Sequence, residues 1–269
     1  MTLRREKGVA LMLALWLIVL MSVVGARVVS SSRSTSGLSS NLRARTLGRY
    51  AAESGIVLGA ARVRDSLAKI ADVSARAEFL NSLEPGSLQA NELASGDARF
   101  SIVYVDVNAR LDINNSSQAQ LTRLFSYFVG PVDGAQAARA VRSWIDADDS
   151  QATNRRYAPQ RTDITYPRLR AGRPLRTLEE LRRIPGISER LTNGAAPFLT
   201  VDGDGRINRA AASDTVLSAA AGSLVDEPSR ILIVARGWEN GHPLTHEIQA
   251  VYAIEGSTLV LVRWQERDL

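Results

Sequence analysis

The sequence predicts an α+β fold in which one long N-terminal helix packs on an antiparallel sheet and a large all-α segment is inserted into the sheet domain. Three observations predict it. An uninterrupted apolar run opens the chain, and alternating β-branched segments stand near residue 100 and again at the C-terminus. About a hundred residues of helical pattern separate those two groups of strands.

The apolar run is Val9 to Ala26, VALMLALWLIVLMSVVGA, 18 positions without a charge. That is close to the lower limit for one membrane-spanning helix at about 1.5 Å per residue. Arg4, Arg5 and Lys7 precede it, so the positive-inside bias holds the N-terminus in the cytoplasm and sends the remainder outward. A secretory signal would end its apolar core at a small-residue cleavage site. Here the run passes through Arg27 into a polar, helix-compatible stretch, and the processing point that stands out is Gly8–Val9, ahead of the run. A plain signal anchor is the simpler reading of the same residues.

Val28 to about Ala71 continues the helix. Leu38, Leu42, Leu47, Tyr50, Ala51, Ile56 and Leu58 recur at mixed spacings of three to five, with Arg43, Arg45, Arg49 and Arg62 between them. Gly37, Gly48, Gly55 and Gly59 weaken a helix by up to about 1 kcal/mol each. They suit close approach to neighbouring helices in a filament, or bends. Pro85-Gly86 and Ser95-Gly96 punctuate the end of this region.

Ala98 to Val107 alternates apolar and polar residues and reads as a strand. The next strands are Arg230–Arg236, Glu247–Ile254 and Thr258–Trp264, with turns at Asn240-Gly241-His242-Pro243 and Glu255-Gly256-Ser257. Such a meander covers one face with the helix.

The helical segment between them holds an imperfect repeat. Arg110 to Leu124 reads RLDINNSSQAQLTRL and Arg206 to Leu217 reads RINRAAASDTVL, each an Ile-Asn pair followed by small polar residues and apolar helix positions. Asn115 or Ser116, and Ser213 or Asp214, are the expected N-caps, because their oxygens accept orphan amide protons. Thr177 and Glu180 stand at capping-box spacing ahead of a sharp turn at Ile184-Pro-Gly-Ile187.

Composition narrows the function classes. There is no cysteine, so disulfides and thiolate metal sites are excluded. The net charge is +5, and between Arg139 and Arg190 12 arginines face 7 Asp and Glu, a balance that equals the whole excess. Nucleic acid, anionic lipid or an acidic partner would suit such a window; a solvated Arg-rich face is the favoured reading. His242 and His246 are the only histidines and sit at a turn and the strand after it. No nucleophile elbow, Walker loop or dinucleotide loop occurs, so no enzyme is predicted.

The basic leader ending at Gly8, followed by a retained apolar helix, resembles a type IV pilin-like precursor. The resemblance implies cleavage after Gly8 by a prepilin peptidase and N-methylation of Val9. Most pilins carry Glu at the fifth mature position, where this chain has Leu13; a carboxylate in the bilayer costs about 2.5–3.5 kcal/mol unless partnered. With Leu13, LDINN at Leu111–Asn115, SWIDADD at Ser143–Asp149, RTLEELRRIPGI at Arg176–Ile187 and the second IN at Ile207–Asn208, the order resembles the type II secretion minor pseudopilin K (GspK) family. Arg209 departs from it, standing where the family more often has an apolar residue, and so does the stretch after Asp149. The resemblance implies a pilin-like head carrying an inserted helical domain: leader 1–8, helix region 9–96, head 97–111 and 216–269, and insert 112–215. It also implies a place at the pseudopilus tip, helping to start assembly and export of folded proteins. Minor pseudopilins I and J, the prepilin peptidase, the bacterial inner membrane and secreted substrates are the implied partners, with the bulk of the chain in the periplasm.

Asp146, Asp148 and Asp149 are the metal candidates. Three carboxylates within four residues could supply part of the oxygen shell of Ca²⁺, and the family resemblance implies calcium in the insert. The alternative is a solvated helix end neutralised by Arg155 or Arg156. Asp202-Gly-Asp-Gly205 resembles half of an EF-hand loop but lacks its bidentate Glu, and reads as a turn. A different class of function is a membrane-anchored DNA-binding protein of the competence type, since the repeats and the Ile184–Ile187 turn also look like helix-hairpin-helix modules. Those modules usually have a G-x-G turn, and only Gly186 is present.

Overall fold

The computed structural model describes residues 3–83, 90–146, 172–220 and 222–269, with side chains for all of these except 3–11, 28–37, 90–92 and 95. Helix α1 runs from Leu3 to Leu67, 65 residues without a proline, a length of about 100 Å at 1.5 Å per residue. Three of its hydroxyls bond back within the helix: Ser22, Thr46 and Ser54 donate to the carbonyls of Ile18, Leu42 and Tyr50 at 2.8–2.9 Å. It stops four residues short of the expected Ala71, and Asp72 then caps α2 (Val73–Asn81) by accepting from Ala75 N at 2.8 Å.

Five antiparallel strands follow in the order β1 (Ala90–Ser95), β2 (Ala98–Asp106), β7 (Arg230–Glu239), β8 (Thr245–Glu255) and β9 (Thr258–Asp268). The sequence reading missed β1. Its residues, ANELAS, carry no β-branched side chain, and pairing with β2 makes it a strand. Ser95-Gly96 is therefore a hairpin turn between β1 and β2, with Gly96 at φ +60°. Alternation sorts the sheet cleanly. Phe100, Ile102, Tyr104, Ile231, Ile233, Ala235, Ile248 and Ala250 form one core with Ala51, Ala52, Ile56, Val63 and Leu67 of α1.

Gly48, Gly55 and Gly59 of α1 face this sheet and are neither bends nor filament contacts; the surroundings of Gly37 lie outside the described residues. A Cβ on Gly48 would lie 2.9 Å from Gly237 O, and one on Gly237 would overlap Gly48 O. A Cβ on Gly55 would meet that of Ala235 at 2.8 Å. Around this seam the α1 arginines reach acidic strand ends: Arg43 meets Asp97 and Glu239 at 3.1 and 3.3 Å, and Arg49 meets Glu266 at 3.3 Å. Each of these exposed pairs contributes at most about 1 kcal/mol.

Between β2 and β7 stands a second core. It is built on α3 (Gln118–Val129), α4 (Pro131–Ile145), a 3₁₀ turn (Leu178–Arg183), α5 (Glu189–Ala195) and α6 (Asp214–Ala220), and includes Leu121, Phe125, Val141, Leu191 and Val216. Val216, Ala219 and Ala220 belong to it, so the insert's core reaches past residue 215. Two short parallel ladders cross it, β3 (Leu111–Asp112) with β4 (Leu199–Thr200), and β5 (Ile207–Asn208) with β6 (Leu224–Val225).

The internal repeat is present in a different register from the one read off the sequence. Leu111-Asp112 corresponds to Ile207-Asn208. In each copy the Asx oxygen accepts the amide two residues on (Asn114 N, 2.9 Å; Ala210 N, 3.1 Å), and the Asx carbonyl accepts the amide four on. A serine five on then caps the helix, Ser117 in the first copy and Ser213 in the second. Ser117 forms a capping box with Gln120, displacing the expected Asn115 or Ser116. Asn114 is occupied otherwise, bonding Leu175 in both directions and Val201 O. Thr177 makes no cap bond, and the turn after it is 3₁₀.

The helix–sheet seam predicts the cost of adding a methyl group. Gly237→Ala should destabilise the full chain by about 1–3 kcal/mol through overpacking, a fall of roughly 2–10 °C in Tm. Ser54→Ala on the exposed side of α1 should stay within about 0.5 kcal/mol. Equal melting temperatures for the two variants would rule out the tight seam.

Candidate functional site

Two surfaces and one junction carry the chemistry. The first surface is the N-terminal part of α1. Leu13 is 66% exposed, and the other large apolar side chains between Met12 and Val24 are exposed with it. An apolar stretch of that size signals a membrane or a partner. Gly8 and Val9 lie within α1, with side chains outside the described residues. Among the described residues no helix is long and apolar enough to cross a membrane; the run from Val9 to Ala26 begins ahead of Met12, the first residue with a described side chain.

The junction between head and insert is organised by Asn108, which is fully buried. It sits in a 3₁₀ turn directly after β2. Its Nδ2 donates to Asp204 Oδ1 (2.9 Å) and Arg206 O (3.0 Å), while its Oδ1 accepts from Ser229 N (3.0 Å) and Arg230 N (2.9 Å). These four bonds use both amide hydrogens and both lone pairs of the side chain, and join the 202–206 loop of the insert to the start of β7. Arg230 secures the same loop from β7, donating to Asp202 O and Gly203 O at 2.7 and 2.6 Å. Asn208 Nδ2 adds bonds to Asp106 Oδ2 (2.6 Å) and Asn81 Oδ1 (2.7 Å). Asp202-Gly-Asp-Gly205 is thus a turn of this junction, as its sequence suggested, with Gly205 at φ +83°.

Burial raises the Asp204 carboxyl, but the Ser229 hydroxyl, the Arg206 amide and Asn108 outweigh it and hold its pKa below the ordinary value. Asp202 goes the other way. Burial lifts it and the Asp112 charge adds to the rise, against Arg263 and Arg230.

The second surface is the sheet face turned away from α1. Glu247 is fully buried there and meets Arg236 at 2.6 Å from one neighbouring strand and Arg267 at 2.6 Å from the other. Burial raises its pKa, and hydrogen bonds from Arg236, Gln249 and Arg267 reverse the shift. Sequence reasoning missed both Asn108 and Glu247. Only the register that sets Arg236 beside Glu247 and Glu247 beside Arg267 brings these charges together.

The predicted metal residues are not assembled among the described residues. Asp146 is exposed and its two oxygens take Arg142 Nη2 at 2.6 and 2.8 Å; Asp148 and Asp149 lie outside the described residues. Its partner among the described residues is Arg142, one turn back; Arg155 and Arg156, named for a neutralised helix end, lie outside the described residues. Among the described residues no group of three His, Asp or Glu side chains is arranged to hold a metal ion. His246 lies between Asp268 (2.8 Å) and Glu266 (3.4 Å) at the edge of the sheet. Ile184 is buried in the insert core, and Gly186 makes the turn at φ +89°.

A long, partly apolar helix seated on an antiparallel sheet, with a helical unit inserted between two adjacent strands, defines a pilin-like α+β protein. Residues 80–203, rather less than half of the chain, match the family model described as type II secretion system (T2SS), protein K. The family match and the likeness in fold together support a type II secretion minor pseudopilin K. It is similar in fold to a chain of the crystal structure of the GspK-GspI-GspJ complex from the enterotoxigenic Escherichia coli type 2 secretion system. The identity is 13%, the TM-score 0.50, and the likeness covers 72% of this chain and 94% of that one. No curated protein matches the sequence.

Two outcomes follow from the junction and the buried carboxylate. Asn108→Ala strands several buried groups at about 1–3 kcal/mol each, so limited proteolysis should become faster in the 202–206 and 226–230 loops; an unchanged rate would contradict its role. Asp204 and Glu247 have depressed folded pKa values, so their stabilisation is complete above the unfolded values near 4 and is lost as pH falls through the folded ones. Melting temperature should therefore drop between about pH 5 and pH 3, less steeply in Glu247→Gln, whereas Asp202, shifted upward, opposes the trend. Identical pH profiles for parent and Glu247→Gln would dismiss Glu247 as a contributor.

Proposed function

We propose that this minor pseudopilin occupies the tip of the type II pseudopilus, in complex with minor pseudopilins I and J, where it helps to initiate assembly and export of folded proteins. The single observation that carries the reading is the insertion of a separately cored helical domain between β2 and β7 of a pilin-like head. A bulky insert obstructs a subunit that must be stacked on from both ends and is tolerated at the end of a filament. Leu13 supports the same position, because a terminal subunit has no need for the carboxylate that pairs with a neighbour's amine.

In this proposal Val9 to Ala26 is the single membrane span, with the N-terminus cytoplasmic until a prepilin peptidase cuts after Gly8, and the bulk of the chain periplasmic. Partners and cargo meet the head and insert, and the work is assembly, with no reaction catalysed. Calcium enters only through Asp146, Asp148 and Asp149, where it would displace Arg142 from Asp146. Arg142→Ala should therefore show a larger calcium-induced rise in Tm than the parent, and an equal rise would separate the ion from Asp146.

The test of function uses the register of the sheet. Asp106 pairs with Ile231, so residues 107–230 can be replaced by an Asn-Gly hairpin turn. The shortened chain should insert into the inner membrane and fail to support secretion. Secretion at the parent level would sink the proposal.

A further inference from the structure

A cavity of about 260 Å³ opens on the sheet face opposite α1, between β9 and the 3₁₀ turn at Leu178–Arg183. Arg110, Arg176, Arg263 and Arg267 line it, together with Glu179 and Asp202. The balance of these charges is uneven. Arg263 is matched to Asp202 at 3.0 Å. Arg267 shares the single Glu247 carboxylate with Arg236. Asp106, also at the cavity, spends its carboxylate on Asn108 N and Asn208 Nδ2. Arg110 and Arg176 are exposed, and among the described residues no carboxylate or carbonyl accepts from either guanidinium.

We propose that this cavity binds acidic side chains of a protein partner, with Arg110 and Arg176 as the clamp. A guanidinium offers a planar fork of donors that matches a carboxylate, and two uncompensated forks at the mouth of one cavity favour successive carboxylates of a segment. Size and charge together select the partner. A cavity of this volume admits side chains and not a duplex. The occupant is thus an acidic peptide segment of another protein, held at the seam where the insert meets the sheet. This goes beyond the tip assignment and does not need it, because the site is built from the cavity's own charges.

The experiment is fluorescence anisotropy of a labelled, glutamate-only peptide against the full chain in detergent. Binding should weaken as salt is raised, and Arg110→Glu/Arg176→Glu should lower affinity by at least about fivefold, equivalent to about 1 kcal/mol. Arg123→Glu/Arg190→Glu, at exposed positions of the insert outside the cavity, should bind as the parent does. Arg110→Ala/Arg176→Ala, which removes charge without reversing it, should also lose affinity. Parent-like affinity in the Arg110/Arg176 variants, or equal losses in both pairs, would overturn the proposal. Tighter binding of a short DNA duplex than of the peptide, lost in the Arg110/Arg176 variants, would replace it with a nucleic-acid site.

Discussion

The architecture depends on two backbones touching where neither residue has a side chain. Gly48 of α1 and Gly237 of β7 meet with a carbonyl oxygen in the space a Cβ would fill. That contact sets the depth at which the helix lies on the sheet. It allows small residues, Ala51 and Ala52, to serve as core where larger ones would hold the helix away. The helix interior gives up roughly 1 kcal/mol of propensity at such a glycine. Burial of Ile56, Ile102, Ile233 and Ile248 at about 1.5–3 kcal/mol each more than offsets it.

A head built this way can accept a large insertion because the insertion enters and leaves at paired neighbours. Asp106 and Ile231 stand opposite one another in the β2–β7 ladder, so the ladder is complete whatever lies between them. The insert has its own core, and its attachment is polar. Asn108, Asp204, Ser229 and Arg230 exchange hydrogen bonds across it. Such networks fix an orientation only when every member is satisfied. Asn108 meets that condition with donors and acceptors on both loops, and this holds the helical unit at a defined angle to the sheet.

Periodicity made much of this legible. The alternation of Ala98–Val107 and of the three C-terminal strands is strong, and those strands appear within a few residues of their expected bounds. ANELAS carries no such signal, because an edge strand with one partner takes its conformation from that partner. The repeat was visible as similar letters, but Ile-Asn was matched to Ile-Asn. The physical unit is a strand residue followed by an Asx turn and a serine cap, which pairs Asp112 with Asn208. Asn108 and Glu247 had no signature at all, since their importance arises from partners 11 to 122 residues away. Gly48, Gly55 and Gly59 were seen and given the wrong neighbour, because sequence shows that a close approach is required and not what approaches.

The account rests on this chain being a pilin-type subunit processed in front of its apolar helix. The most direct measurement is the intact mass of the mature protein after expression with and without a prepilin peptidase. The account predicts loss of Met1–Gly8 and gain of one methyl group on Val9 when the peptidase is present. An N-terminus still beginning at Met1 under both conditions would contradict it.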